Sequence, residues 1–393
     1  MGSSYSMLYT PLDEKNAEIR TIHILPNVDP SSQVQCIMGT TSPSQGSSFG
    51  ALSYVWGDNE NGGTITINGH QVRVTTNLDD FLRRIRRSDS GQVSQLWVDA
   101  ICINQNDPNE RSSQANLMRR IYSSATTVFA WFGPDNCDLA FKTISELSAE
   151  SPTAEGISDN DPELHRFLTL NWLQKYPHLC EEQNIGVPNC PWGAVATFLH
   201  APYWQRVWIF QEVALVCSLI MVSPGSRQLS WPDLSIASMF VALVRRMNQA
   251  NIPTLGRPIQ KPPFMSAGVW GIVSCDAPDM TNIVQWPLVH QIHTSSRLYT
   301  EELASRRWLP SDFAFNLKAT DPRDCTYGFL GITQLPITPN YSKQNTASDA
   351  YVEYASGWLD FSRQRRLRPD TSPLHFLSYG GRGLFIGWSS QPS

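Results

Sequence analysis

Three short apolar runs, each followed by a helical pattern, constrain this chain more than any other feature. They are Ala51-Leu-Ser-Tyr-Val-Trp-Gly57, Leu96-Trp-Val-Asp-Ala-Ile-Cys-Ile103 and Thr127-Val-Phe-Ala-Trp-Phe132. Each has the length and content of a buried strand, and each ends at a loop signal. Strand–helix alternation from about 50 to 150 predicts an α/β fold with a mainly parallel sheet covered by helices. Between the first two runs, TITINGHQVRV alternates Ile65, Ile67 against Val72, Val74 around Asn68-Gly69, the signature of a type I′ hairpin. A helix follows, with Asn77 as its cap and Leu78, Phe81, Leu82 and Ile85 on one face. Asp107, Pro108 and Glu110 read as a capping box with proline at the first helical position.

Other segments punctuate this frame. Residues 31–50 are small and polar and read as a loop, and the acidic stretch 150–163 reads as an insertion or linker. A helical pair is expected near 192–200 and 206–217, then a strand at Ser218–Val222. From 231 to about 366 the pattern is mostly helical, broken by the Pro-rich segment 252–288, with its clearest helix at Ser348–Arg366. No internal repeat is visible.

Composition excludes several classes. The net charge of −5 argues against a dedicated nucleic-acid binder. No secretory signal opens the chain, and the apolar stretch Val207–Val222 is too short to span a bilayer. The eight cysteines are scattered without a C-x-x-C, as expected of reduced thiols in a cytoplasmic protein. His178, Cys180, Cys190 and His200 have no common zinc-ligand spacing, so no metal is expected. Gly46-Ser-Ser48-Phe-Gly50 matches a nucleophile elbow as a string but lies in a loop before a strand. Walker and H-E-x-x-H motifs do not occur.

Three polar clusters lie just beyond strand ends, where an α/β sheet places its site. The first is Ser53, Tyr54, Trp56, Gly57 and Asp58. Its aromatics suit stacking on a planar ring, though taken alone the cluster reads more readily with Tyr54 and Trp56 as core and Asp58 as a turn residue. The second is Asp99 with Asn104, Gln105 and Arg111; a carboxylate inside an apolar run needs a defined partner or a site role. Asp107 reads as a helix cap alone. The third is Arg206-Val-Trp208-Ile-Phe-Gln211-Glu212, where Gln211 and Glu212 are the only polar residues from Val207 to Cys217. A structural Glu212–Arg206 pair and a catalytic Glu212 fit that pattern equally.

The blocks ALSYVWGD, LWVDAICINQNDPNERSSQANLMRRIYSSATTVFAWFG and YWQRVWIFQEVAL, over 51–217, resemble the three blocks of the fungal heterokaryon-incompatibility (HET) domain. ATDPRDCTYGFLGI and PNYSKQNTASDAYVEYA resemble the region that follows it, with Asn340 where Asp is usual and Cys325 where Lys is. The resemblance implies a cell-death effector of fungal allorecognition whose domain is distantly similar to Toll/interleukin-receptor (TIR) domains. It implies a flavodoxin-like sheet in a domain over 1–222, an insertion at about 134–200, and a mostly helical region over 223–393. Many TIR domains hydrolyse NAD through a glutamate four residues after a tryptophan, the spacing of Trp208 and Glu212 here. By that likeness Glu212 is the catalytic residue. Ser53, Tyr54, Trp56, Gly57, Asp58, Asp99, Asn104, Gln105, Arg111, Arg206 and Trp208 would line the substrate site. NAD would be substrate, with no other cofactor. A non-catalytic module that self-associates and recruits partners is the alternative.

Overall fold

The computed structural model describes residues 8–29, 31–43, 48–57, 62–87, 95–150, 167–184, 186–216, 218–249, 260–274 and 317–364. They form an α/β fold with nine strands and flanking helices. The chain divides into two compact units: Met1–Val128 with Gln205–Cys217 and Ser295–Ser393, and Phe129–Trp204 with Ser218–Thr294. This division differs from a cut at residue 222, because the C-terminal segment groups with the first half of the chain.

In the first unit six strands adjoin in the order β5-β4-β2-β1-β6-β3. They are β1 (Ile19–Ile24), β2 (Gln35–Thr41), β3 (Gly50–Tyr54), β4 (Gly63–Ile67), β5 (His70–Val74) and β6 (Leu96–Trp97). Strand β3 runs parallel to β6, pairing Gly50 with Leu96 and Ala51 with Trp97. Strands β1 and β2 pair antiparallel over six residues, and β1 meets β6 antiparallel at Ile22–Leu96. The sheet is therefore mixed, not mainly parallel. The expectation failed because 35–41 forms a strand instead of a loop. Its small polar residues hide the tendency, and backbone pairing with β1 supplies it.

The hairpin forms as its sequence predicts. Asn68 and Gly69 take φ of 49° and 82°, the left-handed pair that a type I′ turn needs, and β4 and β5 pair from Gly63–Val74 to Ile67–His70. Helix α1 (Thr76–Arg86) buries Leu78, Phe81 and Leu82. Its cap is Thr75, whose hydroxyl accepts the Leu78 amide, and not Asn77. The Asn77 side-chain amide instead donates to the Val55 carbonyl at 2.6 Å.

The expected strand 96–103 is cut short. Only Leu96–Trp97 is strand, and Asp99–Cys102 is a single helical turn, α2. The Asp99 carboxylate accepts the Ala100 amide at 2.7 Å, satisfying a donor that a ladder would otherwise use. Helix α3 (Pro108–Ser124) starts at Asp107, which accepts the Asn109 and Glu110 amides. The second half of the expected capping box does not form. Glu110 instead accepts the Asn104 amide at 2.7 Å and pairs with Arg20 at 2.6 Å. Arg20 is 1% exposed and also donates to the carbonyls of Cys102 and Thr10. That pair ties β1 to the loop leaving α2.

The Ile209–Ala214 helix belongs to the first unit and is shorter than the 206–217 expected; Arg206 precedes it as a bridge to Lys318. Tyr327, Leu335, Ile337, Tyr341, Ala350 and Tyr354 form an apolar cluster with Trp208 and Ala115 against it. The helix at Ala347–Gln364 fulfils the reading of 348–366 as far as the described residues extend.

In the second unit β7 (Thr127–Trp131, which begins in the first) is followed by β8 (Leu219–Val222) and β9 (Gln228–Ser230), which pair antiparallel. Helices at Asp138–Glu150, Pro191–Leu199, Trp231–Gln249 and Ala267–Ser274 complete it. Phe132, Phe198, Tyr203 and Trp204 pack ring to ring in its core. The linker at 150–163 and the last twenty residues lie almost wholly outside the described residues. No described helix is long and apolar enough to cross a membrane.

Breaking a buried ion pair from one side leaves an uncompensated charge. Glu110→Ala should therefore cost about 3–5 kcal/mol, read as a lower denaturant midpoint. The double variant Arg20→Met, Glu110→Leu removes both charges and should recover most of that loss.

Candidate functional site

Every residue of β3 is buried, so its side chains are fixed by the sheet. Ser53, 1% exposed, donates its hydroxyl to Oε2 of Glu212. Tyr54 follows, with an equally buried ring whose hydroxyl has no hydrogen-bond partner among the described residues. The chain then turns at Gly57, whose φ of +76° favours glycine. Asn77 holds Val55 in the same turn. This anchoring places Trp56 over Asp99: the indole Nε1 donates to Oδ2 at 2.8 Å, while the ring stays 40% exposed.

Asp99 opens the α2 turn, and the Gln105 side chain donates to its backbone carbonyl at 2.9 Å. The strand ends here because the carboxylate, the indole and the glutamine amide all fix a turn at this residue.

Glu212 comes from the Ile209–Ala214 helix, all six of whose residues are buried. Arg206 clamps it through two bonds, Nη1 to Oε2 at 2.8 Å and Nη2 to Oε1 at 3.1 Å. This bidentate geometry is the strong form of the pair. Arg206 itself is set by main-chain bonds around Lys318, whose carbonyl accepts the Val207 amide at 3.1 Å. On the helix face toward the C-terminal segment, Gln211 donates to the Tyr327 carbonyl at 3.1 Å. Gly331 makes this approach possible, since a Cβ there would collide with Gln211 Oε1.

These groups feel one another's charge. Burial pushes the Asp99 carboxyl up to about 6; Arg206 opposes this, Glu212 adds to it, and the Trp56 and Ala100 hydrogen bonds oppose it. Burial and then the Asp99 charge drive the Tyr54 phenol well above its ordinary range. Burial would lower Arg206, but the charge and hydrogen bonds of Glu212, with Asp99, outweigh it and hold the guanidinium protonated. Two carboxylates thus share one cation.

The structure brings Ser53, Arg206 and Glu212 into direct contact, joins Trp56 to Asp99, and sets Tyr54 within their field. Gln105 supports Asp99 from behind. Asn104 folds over its own loop, accepting the Asn106 amide at 3.2 Å. Arg111 is engaged elsewhere, 3.8 Å from Asp321 and stacked over the Tyr341 ring at 4.4 Å. Trp208 packs on the C-terminal cluster and hydrogen-bonds Asp324. Asp58 lies outside the described residues. The sequence pattern gives Asn77 to the helix cap instead of to this turn, and does not single out Arg20. An Asn beside a Thr that already caps the helix is the signal for the first, and an isolated Arg in a strand for the second.

His178, one of the four considered for zinc, lies 2.9 Å from Glu146, and His200 Nδ1 bonds the Ala196 carbonyl in its own helix. Among the described residues no group of three or more His, Cys, Asp or Glu is placed to hold a metal ion.

Comparison with known proteins bears on the same residues. The profile of a family described as heterokaryon incompatibility protein (HET) matches residues 49–212, a span that begins just before β3 and ends on Glu212. Heterokaryon incompatibility protein 6, OR allele, of Neurospora crassa is 32% identical, over 97% of this chain and 57% of that protein. The chain therefore spans little more than half the length of that relative. No solved structure matches.

Asp99 makes folding pH-dependent. Its carboxyl titrates at about 6 when folded against 3.8 ordinarily. Between those values the folded state holds a proton that the unfolded chain has lost. Its contribution is therefore most favourable below that window, falls as pH rises through it, and is gone above it. Asp99→Asn does not titrate, so its stability relative to wild type should rise between pH 4 and 7, by up to about 3 kcal/mol. Denaturant titrations of both proteins across that range check the slope.

Proposed function

The chain is a HET-domain protein, and from that premise we propose that it acts in heterokaryon incompatibility as a cell-death effector whose Glu212 site cleaves the nicotinamide–ribose bond of NAD. The reading rests on one observation: Glu212 grips the guanidinium of Arg206, whose charge also acts on Asp99, and Asp99 is bonded to the exposed ring of Trp56. With Asp99 ionised, the cluster carries one more negative than positive charge. Such a site favours a cationic centre, and NAD offers one next to an anionic diphosphate.

The chemistry then follows from charge. Breaking the bond from ribose C1 to the pyridinium nitrogen sends the electron pair to nicotinamide, which leaves neutral and needs no general acid. The ribose becomes oxocarbenium-like, as in glycoside hydrolysis. Water adds at C1, its proton is released, and ADP-ribose forms. Both Glu212 oxygens are engaged by Arg206 and Ser53, so the carboxylate must be freed before it can face the ribose. A substrate diphosphate competes for the same guanidinium and supplies that release. A TIR-like arrangement of the sheet and self-association on activation belong to the same proposal.

The closed state of Glu212, 1% exposed, favours a second reading in which the pair only holds the fold of a module that signals by assembly. The two separate by experiment. Glu212→Gln should cut NAD turnover by a few hundredfold, about 3–4 kcal/mol of transition-state stabilisation. It also strands Arg206, so a lower melting temperature is expected. The variant Arg206→Gln, Glu212→Gln removes both charges and should melt closer to wild type while remaining inactive. If that double variant turns over NAD and kills like wild type, Glu212 is structural. If wild type kills without releasing nicotinamide even when clustered, the assembly reading replaces the enzymatic one.

A further inference from the structure

We propose that Asp99 and Tyr54 form a binding site for the vicinal diol of a ribose, closed in the resting protein by the indole of Trp56. The inference rests on the NAD reading only for its choice of ribosyl ligand; the site is argued from its own geometry.

Tyr54 carries the first observation. Its hydroxyl is buried on a ring 1% exposed and has no partner among the described residues. A buried phenol without a bond costs free energy that folding does not recover, so such a group marks a partner supplied by something else. The sheet fixes its position, because Tyr54 ends a strand buried along its whole length. After burial, the charge acting most strongly on it is that of Asp99.

Asp99 carries the second. One carboxylate oxygen is committed to the Ala100 amide and is not available. The other accepts a hydrogen bond, among the described residues, only from Trp56, whose ring is 40% exposed on the loop after β3. Glu212 differs, since three bonds from Arg206 and Ser53 occupy it. A solvent-facing indole is a readily displaced partner, and a ligand hydroxyl makes the same bond to the same oxygen. The result is one strong acceptor and, within reach of its charge, one hydroxyl without a partner among the described residues that both donates and accepts. Two adjacent sugar hydroxyls match this pair: one donates to Asp99 and the other meets Tyr54. A phosphate is disfavoured there, because a carboxylate repels it, and the nearby cation Arg206 would take it instead.

The latch makes an unusual prediction of sign. Trp56→Phe keeps an aromatic surface but removes the donor that competes for Asp99. It should bind ADP-ribose about three- to tenfold more tightly than wild type, because the ligand no longer displaces a hydrogen bond to a charged group. Tyr54→Phe and Asp99→Asn should each weaken binding, Asp99→Asn by about tenfold or more. Calorimetric titration of the full chain with ADP-ribose reads all four proteins. Ribose 5-phosphate should displace ADP-ribose and 2-deoxyribose 5-phosphate should not. Equal affinity across the four proteins, or no binding by wild type, overturns the diol site. So does a weaker Trp56→Phe, which would make the indole part of the binding surface and not its latch. If wild type shows the expected pattern but releases no nicotinamide from NAD, the diol site stands and the catalytic reading fails. If wild type turns over NAD while binding is unchanged in the variants, the catalytic reading stands and the diol site fails.

Discussion

A carboxylate with 1% of its surface exposed cannot stay in a protein unpartnered, and the placement of Glu212 organises much of the first unit around it. Its partners are Ser53 at the end of β3 and Arg206 ahead of its own helix, and Lys318 in a third part of the chain sets the backbone beside Arg206. Losing Arg206 would leave the Glu212 charge buried and uncompensated. The helix carrying Glu212 is only six residues long, too short to be stable by propensity alone. It is held by burial on one side and by Gln211 and the C-terminal cluster on the other.

The C-terminal segment is thus part of the site's construction. Trp208 and Arg111, both expected near the substrate, spend their side chains on this segment instead, through Asp324, Asp321 and Tyr341. Arg111 still contributes indirectly, because it sits on the helix α3 that Asp107 starts and Glu110 anchors to Arg20. A residue whose sequence suggests a ligand contact is a fastener in the fold, since a cation over an aromatic ring gains more from that partner than from bulk solvent.

The electrostatic asymmetry between the two carboxylates gives the cluster its chemical interest. Glu212 takes the guanidinium in a bidentate grip, while Asp99 is left with an amide, an indole and a raised pKa. Environments that treat two neighbouring acids so differently are the usual basis for dividing their roles. Here the division separates a carboxylate locked into the fold from one bonded to a partly exposed indole.

By itself the sequence determined the strands at 50–54 and 127–131, the Asn68-Gly69 hairpin and the helices at 108–124 and 347–364. In each the local pattern and the tertiary environment agree. It also marked Glu212, since one acid in a run so apolar had to be enclosed. Tertiary structure alone decided the rest. Strand β2 exists because β1 pairs with its backbone, which side-chain pattern does not report. The apolar run at 96–103 bends into a turn because Asp99 finds the Ala100 amide and the Trp56 indole, a contact 43 residues away. The pair of Arg206 with Glu212 was open to the sequence, but the capture of Arg111 by Asp321 and Tyr341 was not, because that contact depends on where distant backbones converge.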